Sequence, residues 1–212
     1  MLPAFRTIRT AAMAMGLSLL TACSALTGLG EVSTPLDVFV LELPQDLPRR
    51  QGAPQSRAII IEEPTTDGAL ATERIMIQPN ALQAQYLPGV SWTDPAPIML
   101  QTLMVRALDV TGAFEYVGRR PLGPGGDYAI VTELVDFQAA VLPDGESARI
   151  DIALISRLVR EEGVDIVATR TFTATATSAT LSDADLVTAF NMATSAVIAE
   201  FAGWTLSSLG AI

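Results

Sequence analysis

The chain has 212 residues, 13 Lys+Arg against 23 Asp+Glu and a formal charge of −10, and every cation is an arginine. With no histidine, no lysine and a single cysteine, it lacks the bases that usually activate a serine or threonine nucleophile and the nitrogen and sulfur ligands that zinc prefers. Only carboxylate chemistry is left for an enzyme, and no clustered cations are left for nucleic acid, so neither activity, cofactor nor metal is expected.

The first 35 residues read as an export and anchoring segment. Arg6 and Arg9 precede an apolar run from Ala11 to Leu20, and the lone cysteine follows Leu20-Thr21-Ala22. That order is a secretory leader ending in a lipoprotein cleavage site, so residues 1–22 are expected to be removed and Cys23 to carry diacylglycerol and an amide-linked fatty acid. The run is too short to span a bilayer, which takes about 20 apolar residues, and no later segment is expected to do so. Ser24 stands where an aspartate would signal retention in the inner membrane, so the expected location is the inner leaflet of the outer membrane, facing the periplasm, with the outer leaflet of the inner membrane as the alternative. Residues 23–35 are small and turn-rich, a tether that reaches about 40 Å when extended. The remainder, 36–212, is expected to be one domain.

Leu36 to Leu43 alternates and reads as a strand, and residues 44–56, with three prolines and Arg49-Arg50, as a loop. Arg57 to Glu62 holds Ile59-Ile60-Ile61, a continuous apolar run that suits a strand with neighbours on both sides. A turn at Thr66-Asp67-Gly68 precedes a further strand at Ala71 to Gln78. The spacing then predicts a helix capped by Asp94, with Pro95 in its first turn and Gly112 as its stop. Leu100, Leu103, Ala107 and Val110 fall on its inner face, and Thr102, Arg106 and Asp109 on its outer one.

Gly123-Pro124-Gly125-Gly126 has no lysine and leads into a strand, so it is a plain loop and not a phosphate cradle. Three antiparallel strands follow: Tyr128 to Leu142, Arg149 to Val159 and Ile166 to Thr177, turned by Pro143-Asp144-Gly145-Glu146 and Glu161-Glu162-Gly163. The third carries Thr169, Thr171, Thr173 and Thr175 on one face, which reads first as a solvated surface and second as a contact between copies of the chain. A closing helix starts at Ser182, with Asp185 completing a capping-box pattern, and Leu186, Phe190, Ala193, Val197, Phe201 and Trp204 recur at helical spacing. The fold class is therefore α+β: an antiparallel or mixed sheet with two helices packed on one face.

Several stretches together carry a family resemblance: the Leu20 to Cys23 cleavage site, Val38-Phe39-Val40-Leu41, and Tyr86 to Trp92 leading into Asp94-Pro95-Ala96-Pro97. Thr111-Gly112-Ala113-Phe114, Asp127-Tyr128-Ala129-Ile130, Arg170-Thr171-Phe172 and the helix through Trp204 continue it. In order and spacing the chain resembles the auxiliary lipoproteins of ABC-type transport systems with an MCE-domain subunit, typified by the paraquat-inducible protein C group. The resemblance implies a periplasmic domain that works with an ATPase, a permease and an MCE substrate-binding subunit to move lipids between membranes, without catalysis. Tyr86 and Trp92 are the candidate partner contacts, because aromatics in a Gly- and Pro-rich segment often sit at interfaces. Their alternative role is to cover the end of the sheet core. The rival functions are a structural lipoprotein that stabilises an envelope assembly and, more remotely, a carboxylate hydrolase.

Overall fold

The computed structural model describes residues 35–123 and 125–212. The expected leader, Cys23 and the tether up to residue 34 lie outside the described residues. The unit from Leu36 to Ile212 contains nine strands and two helices among the described residues. They are β1 (Asp37–Phe39), β2 (Gln55–Ile61), β3 (Met76–Asn80), β4 (Gln83–Tyr86), β5 (Val90–Trp92), α1 (Ala96–Val110), β6 (Phe114–Gly118), β7 (Tyr128–Val141), β8 (Ala148–Arg160), β9 (Asp165–Ser178) and α2 (Asp183–Ser208).

β7 is the spine of a mixed seven-stranded sheet. One edge pairs antiparallel with β8 from Tyr128↔Arg160 to Val141↔Ala148, and β9 pairs antiparallel with β8 beyond it. The other edge is divided. Its first half takes β2 in parallel, Ile59↔Tyr128 to Ile61↔Ile130, and its second half takes β3 in parallel at Ile77↔Ala139, with a bridge from Thr65 to Glu133 between them. β6 extends the sheet beside β2, and β4 beside β3. The isoleucine run thus lies between two strands, as its continuous apolarity predicts, and Ile59 and Ile61 are fully buried. Gly126 is required here, since a Cβ on it would stand 2.6 Å from Ile60 Cγ1.

A one-residue bulge sets the core face of β7. Leu134 pairs with Leu154 and Asp136 with Ala153, so Val135 is extra. Leu134 and Phe137 consequently both point inward and are 2 % exposed, while Val135 is pushed outward. Both helices cover this face: α2 packs over β8 and β9, and α1 packs against β2, β6 and α2. The α+β class and the two-helix layer agree with the sequence reading.

The helix ends differ in how they are satisfied. The non-helical residue before α1 is Pro95, with no side-chain cap, so the expected cap at Asp94 is wrong by one position. Pro97 occupies the first turn, where the absent N–H costs nothing, and Gly112 at φ +63° ends the helix as expected. Val110, expected on the inner face, is 38 % exposed because it lies at the rim of the last turn. In α2, Ser182 Oγ accepts from the Asp185 N–H at 3.3 Å. The reciprocal half of the box is diverted: the Asp185 carboxylate takes the Thr180 hydroxyl at 2.5 Å, and Thr180 Oγ1 accepts the Ser182 N–H.

At the other end, α2 has no basic residue in its last turn. Distant donors supply the cap. Arg50 Nη1 donates to the Ala211 carbonyl at 2.7 Å, Gln55 Nε2 to Gly210 at 2.9 Å and Arg57 Nη1 to Leu209 at 2.7 Å. Two guanidinium groups at the negative end of a 26-residue helix are favourable in charge as well as in hydrogen bonding.

The chain departs from expectation in its short elements. Residues 71–74 are bend, following a turn in which Asp67 Oδ1 accepts from the Ala69 and Leu70 N–H groups, and the strand begins only at Met76. β4, β5 and β6, each of three to five residues, had no periodicity long enough to read. α2 is also long and apolar enough to cross a membrane by length and composition, contrary to the expectation that no later segment would be. Leu186, Phe190, Val197 and Phe201 are nonetheless fully buried on the domain's own core.

Replacing Phe190 by alanine removes a fully buried ring and is expected to cost about 3–5 kcal/mol in chemical denaturation; an unchanged transition would show that α2 does not pack as described. At the β7–β8 turn, the Ser147 hydroxyl and then the Glu146 and Ser147 N–H groups hold the Asp144 carboxyl below its ordinary value. Its contribution to stability is present above the ordinary carboxylate range and lost as pH falls through the depressed folded value. Carboxyl titration by NMR should place Asp144 below a free aspartate and return it upward in Ser147→Ala, whereas an unmoved midpoint in that variant would remove the hydroxyl as the main cause.

Candidate functional site

The segment from Tyr86 to Trp92 is fastened at several points. Tyr86 closes β4 opposite Met76, and its hydroxyl donates to the Ala69 carbonyl at 3.0 Å while the Arg74 guanidinium lies 4.0 Å over its ring. Gly89, at φ +75°, turns the chain, and its carbonyl accepts the Asp37 N–H. β5 then pairs in parallel with β1, Asp37↔Val90 to Phe39↔Trp92.

Trp92 belongs to the core. It is 1 % exposed, and its ring centroid lies 5.3 Å from Phe190 and 5.9 Å from Phe137, which are themselves 5.2 Å apart. This corrects its reading as a direct partner contact, because a ring enclosed by two others presents no surface. Tyr86 is half-buried at the margin of the same core. The two aromatics are not brought together into one exposed patch.

Next to this segment runs an open groove of about 300 Å³ between the β1–β5 pair and α1. Leu41, Met99 and Leu103 form its buried floor, at 8, 5 and 3 % exposure, and Val40 forms an exposed wall. Thr93 and Asp94 line it ahead of α1, and Thr102 and Arg106 line it one helical turn apart. Arg119, just beyond β6, donates to Thr102 Oγ1 at 2.5 Å. Among the described residues, neither Arg106 nor Arg119 forms an ion pair; the pairs are Arg149–Asp151, Arg160–Asp165 and Arg170–Glu200. The sequence reading placed Arg106 on the solvent side of its helix but gave no sign of a groove, since β5 is too short to recognise and the strand expected over Leu36 to Leu43 ends at Phe39.

Among the described residues no three carboxylates are grouped to hold a metal ion. The arrangement offers an apolar trough with a cationic rim, a geometry for holding an amphiphile or a partner chain.

The profile of the ABC-type transport auxiliary lipoprotein component matches residues 39–202. The chain belongs to this family. A crystal structure of a Xanthomonas campestris protein superposes with a TM-score of 0.71 at 25 % identity, covering 82 % of this chain and 96 % of that one. A second crystal structure, of an uncharacterized protein, shares the fold with a TM-score of 0.59 at 16 % identity, covering 81 % and 99 %. An uncharacterized protein of Bradyrhizobium diazoefficiens is 28 % identical over 155 residues, 71 % of this chain. The chain spans about two fifths of that curated relative's length. Members of this family are auxiliary lipoprotein components of ABC-type transport.

Trp92→Ala should destabilise the domain by about 3–5 kcal/mol, whereas Tyr86→Phe, which loses one hydrogen bond, should cost about 0.5–1.5 kcal/mol. Urea denaturation of both variants checks this. Equal and small costs would mean that Trp92 is not held between Phe137 and Phe190.

Proposed function

We propose that this auxiliary lipoprotein serves an MCE-type lipid conduit, docking an MCE substrate-binding subunit with its ATPase and permease so that lipids pass between the inner and outer membranes. It does so without catalysis. The observation that carries this reading is the family match across residues 39–202, nearly the whole folded unit. The absence of histidine, lysine and any second cysteine supports a role without chemistry.

In this reading residues 1–22 are the leader, Cys23 carries the lipid, residues 23–35 are the tether and 36–212 the working domain. The anchor sits in the inner leaflet of the outer membrane and the domain faces the periplasm. Three acyl chains make that attachment close to permanent, since each buried methylene contributes about 0.8 kcal/mol. The acidic domain adds no basic patch to the attachment. Tyr86 contributes to docking from the margin of the core, at the base of the β3–β4 hairpin whose tip carries the fully exposed Leu82, and Trp92 contributes by holding the segment in place.

The rival, a scaffold lipoprotein, is favoured by one feature. β9 is a 14-residue edge strand whose threonines at 169, 171, 173, 175 and 177 are exposed, a surface suited to pairing between copies.

Affinity purification of the full chain from detergent-solubilised membranes should recover an MCE subunit together with an ATPase and a permease, and Cys23→Ala should leave the membrane fraction. Recovery of further copies of the chain alone would favour the scaffold. Full membrane retention of Cys23→Ala would remove the lipidation site.

A further inference from the structure

We propose that the groove between β1 and α1 binds one acyl chain of an anionic phospholipid, with Arg106 and Arg119 receiving the headgroup phosphate; the choice of ligand rests on the lipid-transport reading. The floor of Leu41, Met99 and Leu103 is apolar and continuous. Val40 carries that surface outward to Val38 and Leu36, which alternate along the chain on the same side and are 56 and 57 % exposed. Three branched apolar side chains on one side, unpartnered among the described residues and leading into a trough, are more than scattered surface residues.

The charges give the groove a direction. Arg106 lies in the lining, Arg119 donates to the lining residue Thr102 one helical turn before it, and neither arginine has a carboxylate partner among the described residues. In a chain of charge −10, two unpaired arginines that both border Thr102's helix turn suit a phosphodiester, which arginine grips through paired N–H donors. Asp94 closes the opposite end. About 15 Å of helix axis separates the start of α1 from Arg106, at 1.5 Å per residue. An anionic headgroup is therefore drawn to the arginine end and repelled from Asp94, which leaves the length of the floor for the acyl chain. A volume of about 300 Å³ is at the small end for ligand sites and suits part of one chain, not a whole two-chain lipid.

The test uses the full chain, purified in a neutral alkyl glucoside and labelled with lysophosphatidylglycerol bearing a photoactivatable group on its acyl chain. Peptide mapping should place the label on residues 38–41 and 99–106, and unlabelled phosphatidylglycerol should compete. The double variant Arg106→Gln/Arg119→Gln should label about tenfold less, the size expected for losing charged hydrogen bonds. Val40→Asp, an exposed position that leaves the core intact, should reduce labelling as strongly. Arg149→Gln, on the far hairpin, should not, and an unchanged melting temperature in all three variants shows that they fold. Label placed elsewhere, or retained in both groove variants, overturns the proposal. Competition by inorganic phosphate alone would assign the arginines to free phosphate, and equal competition by the glucoside would remove the headgroup's role; either overturns it. Loss of the MCE subunit from co-purification with groove labelling intact would count against the transport reading and leave the groove standing.

Discussion

Three aromatic rings, Trp92, Phe137 and Phe190, tie together parts of the chain that are far apart in sequence. Each comes from a different layer: β5 beside β1, the central strand β7, and the covering helix α2. That contact is an aromatic hold on the β1–β5 pair, which forms a separate two-stranded sheet and shares no ladder with the other seven strands, the Trp92 N–H donating to the Glu73 carbonyl beside it. The edge-to-face packing of Trp92 on Phe190, at 80° between ring planes, is the favoured geometry for such pairs. The bulge at Val135 is what allows Phe137 to face them.

The groove follows from this arrangement. Trp92 points into the core, so Thr93 and Asp94 must turn outward, and the segment after β1 returns alongside α1 with Leu41 inward and Val40 outward. A second clamp lies at the other end of α2 from Phe190, where Arg50, Gln55 and Arg57 close its last turn. A helix that meets the composition of a membrane span is thereby committed to the domain's interior at both ends, by Ser182 at its start and by these donors at its finish.

Long, periodic elements were legible in the sequence and short ones were not. β7, β8, β9 and α2 run for 13 to 26 residues, long enough for alternation or helical spacing to reveal their inner faces, and Ile59 to Ile61 showed its central position through unbroken apolarity. β4, β5 and β6 are stabilised by register with neighbours, which leaves no pattern within three to five residues. The Asp94 cap failed for a local reason, since Pro95 takes the non-helical position itself. Trp92 was ambiguous for a different one: an aromatic beside glycine and proline looks the same in sequence whether it is an interface anchor or the plug of a core. Its partners, Phe137 and Phe190, are 45 and 98 residues away along the chain. The groove depended on both misread pieces, and so only its residues on α1, Thr102, Leu103 and Arg106, were visible beforehand.

The central claim is that β1 and β5, and with them the groove, are held by packing among the three rings. A double-mutant cycle of Trp92→Leu and Phe190→Leu, followed by urea denaturation, measures that packing apart from the burial of each side chain. A coupling of about 0.5–1.5 kcal/mol is the result this structure requires. Additivity within about 0.3 kcal/mol would contradict it, because it would show that Trp92 and Phe190 stabilise the domain independently.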